Sequence, residues 1–257
     1  MIPDWQLPPG VDRGLWDYLH AGEMVAGYDE AMSASSLAAA DVAFCERTFP
    51  EPGKLIDLGC GTGRLCLHFA RKGYECVGVD LSDEMLARAK DNLQAIEHDA
   101  RYRVRFVTAN LTDASLLGGE TFDYAACLFS TLGMVRGATH RARVLANAFR
   151  LLKPGGRFVL HAHNRFFRGL GWKRMLSQRI KTLLGQIDAG DITMPQAYEG
   201  APLTLHHFTR REVSGMLEEA GFVVREVVAV GDDGKPARRS RAYGWLMMAE
   251  RDQSPRS

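Results

Sequence analysis

The stretch K-L-I-D-L-G-C-G-T-G-R, from Lys54 to Arg64, limits what this chain can fold into more than any other. Leu55, Ile56 and Leu58 form the short apolar run of a strand buried on both faces, and Asp57 interrupts it near its carboxyl end. Gly59, Gly61 and Gly63 follow at every second position. Without Cβ atoms the turn can take strained torsions, and a ligand can lie against bare main chain while the next helix begins at about Arg64. The downstream sequence repeats the strand and helix rhythm that this stretch starts.

The first dozen residues, with Pro3, Pro8, Pro9 and Gly10, read as an extended lead-in. From Arg13 to about Thr48 the spacing is helical, in a segment around Trp16, Tyr18 and Met24 and an alanine-rich one from Ala31 to Phe49. Gly27 and Tyr28 are expected at the joint between them, from which Tyr28 either packs or reaches over the glycine loop. Beyond the loop, Arg64 to Arg71 reads as a helix closed by Gly73, and Glu75 to Leu81 as a second buried strand. Asp80 lies about 20 residues past the glycines, where a dinucleotide-type fold places the carboxylate that binds ribose hydroxyls. Ser82 caps a helix through Lys90, and a third strand from Arg103 to Thr108 leads to Asn110 and Leu111 at the ligand end of the sheet.

Phe122 to Phe129 is the fourth strand, followed by S-T-L-G and a helix from about Thr139 to Leu152 whose Arg141, Arg143 and Arg150 read as a solvated face. The turn K-P-G-G leads into a fifth strand, Arg157 to His163. Asn164 to Gly190 is then a basic amphipathic insertion with Phe166, Phe167, Trp172, Met175, Leu176, Ile180 and Leu183, read as a lid or core helix in preference to a membrane or nucleic-acid surface. Asp191 to Ala197 and Ala201 to His207 read as a hairpin that Pro195 confines to an edge. A helix from Thr209, a strand from Phe222 to Val230, a solvated basic loop and an antiparallel return strand from Tyr243 to Ala249 complete the pattern.

With 257 residues, 46% of them hydrophobic and 25% charged, the chain can bury one large core. One domain over 1–257 is expected, with 1–50 as an N-terminal helical cap and 164–208 as a lid or substrate insertion. A net charge of +1 and no long apolar run argue against nucleic acid or membrane as partner, and a cytoplasmic location is expected. The five cysteines lack C-x-x-C spacing and read as reduced packing residues, with Cys60 a small residue fitting the glycine loop.

Taken together, D-L-G-C-G-T-G, V-G-V-D-L-S, A-N-L, F-D-Y-A-A-C-L, L-L-K-P-G-G-R-F-V-L and the final two-strand return resemble the class I S-adenosylmethionine-dependent methyltransferases. The resemblance covers Lys54 to Leu160 strongly and Thr209 to Ala249 in outline. The alternation G-x-G-x-G separates the chain from dehydrogenases with G-x-G-x-x-G, and no G-K-[ST] follows to suggest a nucleoside triphosphate. The resemblance implies an α/β, Rossmann-like, seven-stranded and mostly parallel sheet with an antiparallel last strand, and S-adenosyl-L-methionine as cofactor. It makes Asp57, Gly59, Gly61 and Gly63 the floor under the methionine part, with Cys60 in the same loop and Tyr28 above it. Asp80 becomes the ribose ligand, Leu81 and Met85 neighbours of the adenine, and Leu111 its stacking partner. Asn110 stands where many members carry an acid facing the adenine amine. Leu128 and Phe129 close the fourth strand, where the family faces the transferring methyl.

In-line methyl transfer needs a dry, aligned pocket, and a base only where the acceptor must lose a proton. His161 and His163, two apart on a strand and so on one face, are the catalytic candidates. Phe129, Ser130, Tyr198 and His207 are candidate acceptor contacts. No metal is expected, because F-S-T-L-G stands where magnesium-dependent members of the superfamily carry acids. The expected function is methylation of a small-molecule acceptor chosen by the insertion Phe166 to Leu184. An RNA or protein methyltransferase and a noncatalytic binding regulator are the alternatives.

Overall fold

The computed structural model describes residues 2–252 apart from 21, 114, 187, 188, 199 and 200, and leaves the side chains of 22–24, 26, 195–198 and 201 undescribed. Asp12 caps α1 (Arg13–Leu19) by accepting the Leu15 N–H at 2.9 Å. The next helix, α2 (Gly22–Ala34), runs straight through Gly27 and Tyr28, so these residues form no joint. The break comes at Ser35, whose hydroxyl accepts the Ala38 N–H and starts α3 (Ser36–Thr48). A capping hydroxyl outweighs the weak breaking tendency of one helical glycine.

The alternating core follows: β1 (Lys54–Leu58), α4 (Arg64–Ala70), β2 (Glu75–Asp80), α5 (Asp83–Gln94), the single turn α6 (His98–Arg101), β3 (Val104–Thr108) and β4 (Phe122–Cys127). A short α7 (Thr131–Met134) at S-T-L-G, read from sequence as a connection, precedes α8 (Ala138–Leu151) and β5 (Leu152–His163). The insertion contributes α9 (Trp172–Leu183), β6 (Asp191–Tyr198) and β7 (Ala201–His206), and α10 (Arg210–Glu219), β8 (Phe222–Val230) and β9 (Gly244–Arg251) end the fold. The Thr209 hydroxyl and the Glu212 carboxylate form a reciprocal capping box at the start of α10.

The seven strands lie in the order β3-β2-β1-β4-β5-β9-β8, parallel except for β9, which pairs antiparallel with both β5 and β8. Strand order reverses between β1 and β4, so the carboxyl ends of these two strands flank the crevice where such sheets take ligands. Alternation sorts the side chains onto two cores. Ile56, Leu58, Ala125, Cys127, Phe158 and Leu160 pack with α8 and α10 through Val144, Leu145, Val213 and Leu217. On the other face Leu55, Ala126, Leu128 and Val159 pack with α3 and α4 through Phe44, Cys45, Leu65 and Phe69. His161 and His163 continue the Val159 face and point to the α3 side.

Two expectations change. Arg141 is buried, not solvated, because its guanidinium turns back to donate to the Val135 carbonyl at 3.0 Å. The insertion is neither a core helix nor one compact lid: β6 and β7 form a separate two-stranded sheet, while α9 keeps its large apolar side chains in solvent. All five cysteines are buried and free, and burial holds the Cys45, Cys60 and Cys66 thiols well above their ordinary range.

Candidate active site

The loop after β1 is held to the end of β2. The Gly59 and Cys60 amides donate to the Val79 carbonyl at 2.8 and 3.0 Å, and the Gly61 amide donates to Asp80 Oδ2 at 2.8 Å. The Ser82 amide donates to Asp80 Oδ1 at 3.0 Å. Each carboxylate oxygen therefore accepts at least one backbone N–H, and the pair keeps acceptor capacity for a ligand. Burial pushes the Asp80 pKa up, with the N–H groups of Ser82, Gly61 and Leu81 opposing it. Gly59 has φ +83°, and a Cβ there would run into the Thr131 side chain, with Oγ1 at 2.8 Å. Gly63 sits at φ +82° under Phe106, whose Cζ would lie 2.7 Å from an added Cβ. Its glycine serves packing of the helix start, and it is absent from the walls of both clefts at this end of the sheet.

The larger cleft, about 740 Å³ and open to solvent, has a sheet-end wall of Gly59, Gly61, Asp80, Leu81, Met85, Asn110 and Leu111. Its opposite wall is the N-terminal segment, through Pro9, Gly10, Val11, Leu15, Tyr18 and Leu19. The sequence carries no motif for this second wall, because it arises only when residues far apart in the chain meet. Asn110 Nδ2 donates to the Pro9 carbonyl at 2.9 Å, the Arg136 amide donates to the Gly10 carbonyl at 2.8 Å, and Ser82 Oγ donates to the Leu19 carbonyl at 2.8 Å. Asn110 Oδ1 accepts the Thr112 N–H at 2.9 Å. The amide at this position thus ties the N-terminal segment, a strap across the cleft, to the end of β3.

A smaller cleft of about 460 Å³ lies beneath and shares Tyr28, Gly59, Thr131 and Met134 with the larger one. Asp57, Cys60, Arg64, Leu65, Leu128 and Phe129 complete it. Burial pushes the Asp57 carboxyl up to about 7 even though the Arg64 guanidinium pulls it down, and the carboxylates of Asp80 and Asp41 add to the rise. Burial likewise raises the Tyr28 phenol to about 12, so at neutral pH it is a hydrogen-bond donor and not a base. Phe129 and Ser130 both adopt left-handed backbone, at φ 50° and 62°, immediately beyond β4. Two successive non-glycine residues in that region mark a turn held under strain by its surroundings, at the position facing the cleft.

His161, His163, Ser130 and His207 lie outside both clefts. His161 is fully buried with Nδ1 2.7 Å from Asp41 Oδ1 on α3. His163 is buried behind Phe129, its ring 6.2 Å from the phenylalanine ring and close to His161, His207 and Tyr243. Burial lowers its pKa well below the ordinary range, with His161 and His207 adding to the effect. Neither histidine lines either cleft. Ser130 is fully buried, and its Oγ accepts the His163 N–H at 3.3 Å. His207 is buried with Nδ1 3.4 Å from the Asn164 carbonyl. The Tyr198 side chain lies outside the described residues.

Among the described residues from 164 to 208, none lines either cleft. The insertion acts from one layer back: Leu203 and Leu205 of β7 pack with Leu15 and Tyr18 of α1 and with Met85. An added Cβ at Gly14 would overlap the Pro202 carbonyl, so this glycine allows β7 to approach α1. The hairpin is fastened by His206, which lies between Asp191 (Nδ1 to Oδ1, 2.7 Å) and Glu212 (Nε2 to Oε1, 2.7 Å). Arg136 Nη1 reaches Asp191 Oδ2 at 3.0 Å.

An acid closing β2, a bare glycine loop after β1 and apolar walls at the sheet's switch point define an α/β fold built to hold a nucleoside-containing ligand. The "Methyltransferase domain" family matches residues 55–156. The ubiquinone/menaquinone biosynthesis C-methyltransferase UbiE of Syntrophotalea carbinolica is 31% identical over 175 residues, covering 66% of this chain and 68% of that protein. YqeM of Bacillus subtilis, named as a methyltransferase, is 29% identical over 121 residues, 47% of each chain. The chain thus spans about half to two thirds of the length of these curated relatives. In fold it is similar to 1,6-didemethyltoxoflavin-N1-methyltransferase of Burkholderia thailandensis, with a TM-score of 0.63 at 18% identity over 96% of this chain and 93% of that one. The chain belongs to the class I S-adenosylmethionine-dependent methyltransferases.

The residues present fit that family's cofactor. Asp80 keeps acceptor capacity for a ribose diol, and Leu81, Met85 and Leu111 offer apolar surface to a purine. Asp57 and Arg64 bring a carboxyl and a guanidinium to the walls of the smaller cleft, where the two ends of an amino acid would find opposite charges.

Proposed function

We propose that this chain methylates a small, largely apolar organic acceptor. S-adenosyl-L-methionine would supply an electrophilic methyl on a sulfonium, with Asp80, Leu81, Met85, Asn110 and Leu111 beside the adenosine and Asp57, Gly59, Cys60, Gly61, Arg64 and Leu128 beside the amino-acid end. The observation that carries the reading is the meeting of the two clefts at Tyr28, Gly59, Thr131 and Met134. An acceptor there would lie against Leu15, Tyr18, Phe129, Met134 and Val135, under a roof tied down at Pro9, Gly10 and Leu19. Walls of this kind exclude water and hold the acceptor in line, which suits a displacement in which positive charge is lost. The UbiE name and the toxoflavin-type neighbour support a small ring compound as acceptor.

The chain works by alignment and desolvation without a histidine base in this reading. His163 is screened by Phe129, and Tyr28 keeps its proton at neutral pH. Suitable acceptors are those that arrive as neutral amines or lose a proton by themselves, such as acidic phenols or stabilised carbanions. In this arrangement 1–50 would cap the cofactor directly, and 164–208 would support that cap from behind in place of enclosing the acceptor as a lid.

Methyl incorporation from labelled S-adenosylmethionine into a panel of phenols, quinols and heteroaromatic amines tests the proposal. Turnover with members of the panel is expected. Tight cofactor binding with no turnover on any of them would favour the noncatalytic regulator, and turnover only on RNA or protein would overturn the acceptor class. His163→Leu is expected to keep kcat within about twofold with an unchanged pH profile, and a large fall in kcat together with loss of a titrating limb on the acid side of the ordinary histidine range would restore the histidine to the chemistry.

A further inference from the structure

We infer that α9 is an interfacial helix that docks the protein on an anionic phospholipid surface. Trp172, Leu176, Ile180 and Leu183 recur at spacings of four, four and three, so they form one stripe along the helix. They are 71%, 51%, 48% and 86% exposed, and Leu184 just beyond the helix is 68% exposed. The opposite side is the moored one. Gln178 is buried, with its Oε1 accepting the Gly190 N–H at 2.7 Å and its Nε2 donating to the Asp191 carbonyl at 3.3 Å. Thr182 Oγ1 accepts from Arg165 Nη1 at 3.1 Å. The body of the protein therefore holds α9 by polar contacts and turns its apolar stripe outward, the reverse of an ordinary amphipathic surface helix.

Charge selects the occupant. From 166 to 186 the chain carries Arg168, Lys173, Arg174, Arg179 and Lys181 and no acid, in a protein whose total net charge is +1. On the helical wheel Arg179 and Lys173 lie on the two margins of the stripe, while Arg174 and Lys181 lie on the opposite face and add only to the local positive charge. An apolar stripe containing a tryptophan, flanked by basic side chains, is the composition that lies in the headgroup layer of a bilayer and gains from anionic lipid. A second copy fits poorly, since a two-fold contact would set this cationic patch against itself. Nucleic acid fits poorly too, because the most exposed positions are Trp172 and Leu183, which offer nothing to a phosphate. At about 1.5 Å per residue the helix presents about 18 Å of stripe, enough for reversible docking and too short to span. Among the described residues no helix is long and apolar enough to cross a membrane. The sequence-based expectation of no membrane partner rested on net charge, on span length and on reading this basic amphipathic insertion as a lid or core helix, and the outward turn of its apolar stripe removes the last of these grounds.

Flotation of the full chain with vesicles of phosphatidylcholine, with and without about 30% phosphatidylglycerol, tests this at low and high salt. Co-flotation with the anionic vesicles is expected, weakened about tenfold or more by Leu176→Ser with Ile180→Ser, and similarly by Lys173→Glu with Arg179→Glu. All four residues are exposed, about half so for Leu176 and Ile180, so thermal unfolding of the variants should match the parent and rule out misfolding as the cause. No flotation, or flotation that either pair leaves unchanged, overturns the inference. Concentration-dependent self-association that Leu176→Ser with Ile180→Ser abolishes, without vesicle binding, would assign the stripe to a second copy instead.

Discussion

The floor and the roof of the cleft are built by opposite means. The floor, from β1 through the glycine loop to Asp80, comes from one contiguous stretch of chain, and its ligand-facing groups are backbone and a single acid. The roof joins Pro9 to Leu19 with Arg136, Ser82, Asn110 and the β6–β7 hairpin, which are drawn from across the chain. Their electrostatics also have opposite signs. Burial raises Asp57 and Asp80 on the floor. In the hairpin's anchor burial also opposes ionisation, but His206 and Arg136 for Asp191, and His206 and Arg165 for Glu212, outweigh it and lower both. A floor that tolerates unpaired acids is prepared for a ligand, whereas a roof whose acids are already paired is prepared for itself.

The largest expected effect comes from a methyl group on each side. Gly59→Ala adds a Cβ against Thr131 at a positive φ and should destabilise the fold by about 2–4 kcal/mol and abolish cofactor binding. Gly14→Ala meets the Pro202 carbonyl and should loosen α1 from β7, weakening cofactor binding about tenfold with little loss of sheet stability. Calorimetry and thermal melts on the two variants would break the contrast if Gly14→Ala unfolded the protein as readily as Gly59→Ala. Asp80→Ala follows, with affinity for S-adenosylmethionine or its demethylated product falling about 10- to 100-fold, because charge-assisted bonds to two hydroxyls are lost. Equal affinities in a titration would remove the ribose role from Asp80.

A pH series separates floor from roof next. Raised from 3.8 to about 7, Asp57 favours the folded state least when ionised, so its share of stability is full below its ordinary range and is lost as pH rises towards 7. A cationic amino group placed beside it would favour the ionised form, so cofactor affinity should rise as pH approaches about 7, below the range in which a free α-amino group loses its proton, and Asp57→Asn should flatten that rise. Asp191 and Glu212 have lowered values, so their contribution is present above the ordinary carboxylate range and is lost as pH falls through it. Hydrogen exchange in mild acid should show β6 and β7 losing protection before β1 and β2, and simultaneous loss would contradict the division. The smallest effect is expected from Asn110→Asp, which removes the donor to the Pro9 carbonyl and should cost about 1 kcal/mol of cofactor affinity through a looser strap.

The sequence alone determined the sheet and the floor, since a buried strand, a glycine loop and an acid about 20 residues later are local patterns whose geometry follows from chain chemistry. The antiparallel return was legible through the family resemblance, whereas the strand order came only with the structure. Gly63 was readable as a required glycine, but its reason, the ring of Phe106, was not. The fate of individual polar side chains was decided by tertiary structure. Asn110 is spent on Pro9 and His161 pairs with Asp41 without lining either cleft, because these partners come from remote segments that no spacing rule can bring near, and Arg141 turns inward onto the Val135 carbonyl six residues before it. The outward turn of α9 was likewise beyond the sequence: periodicity shows that a helix has an apolar side, and only the placement of Gln178 and Thr182 against the body shows that this side faces solvent.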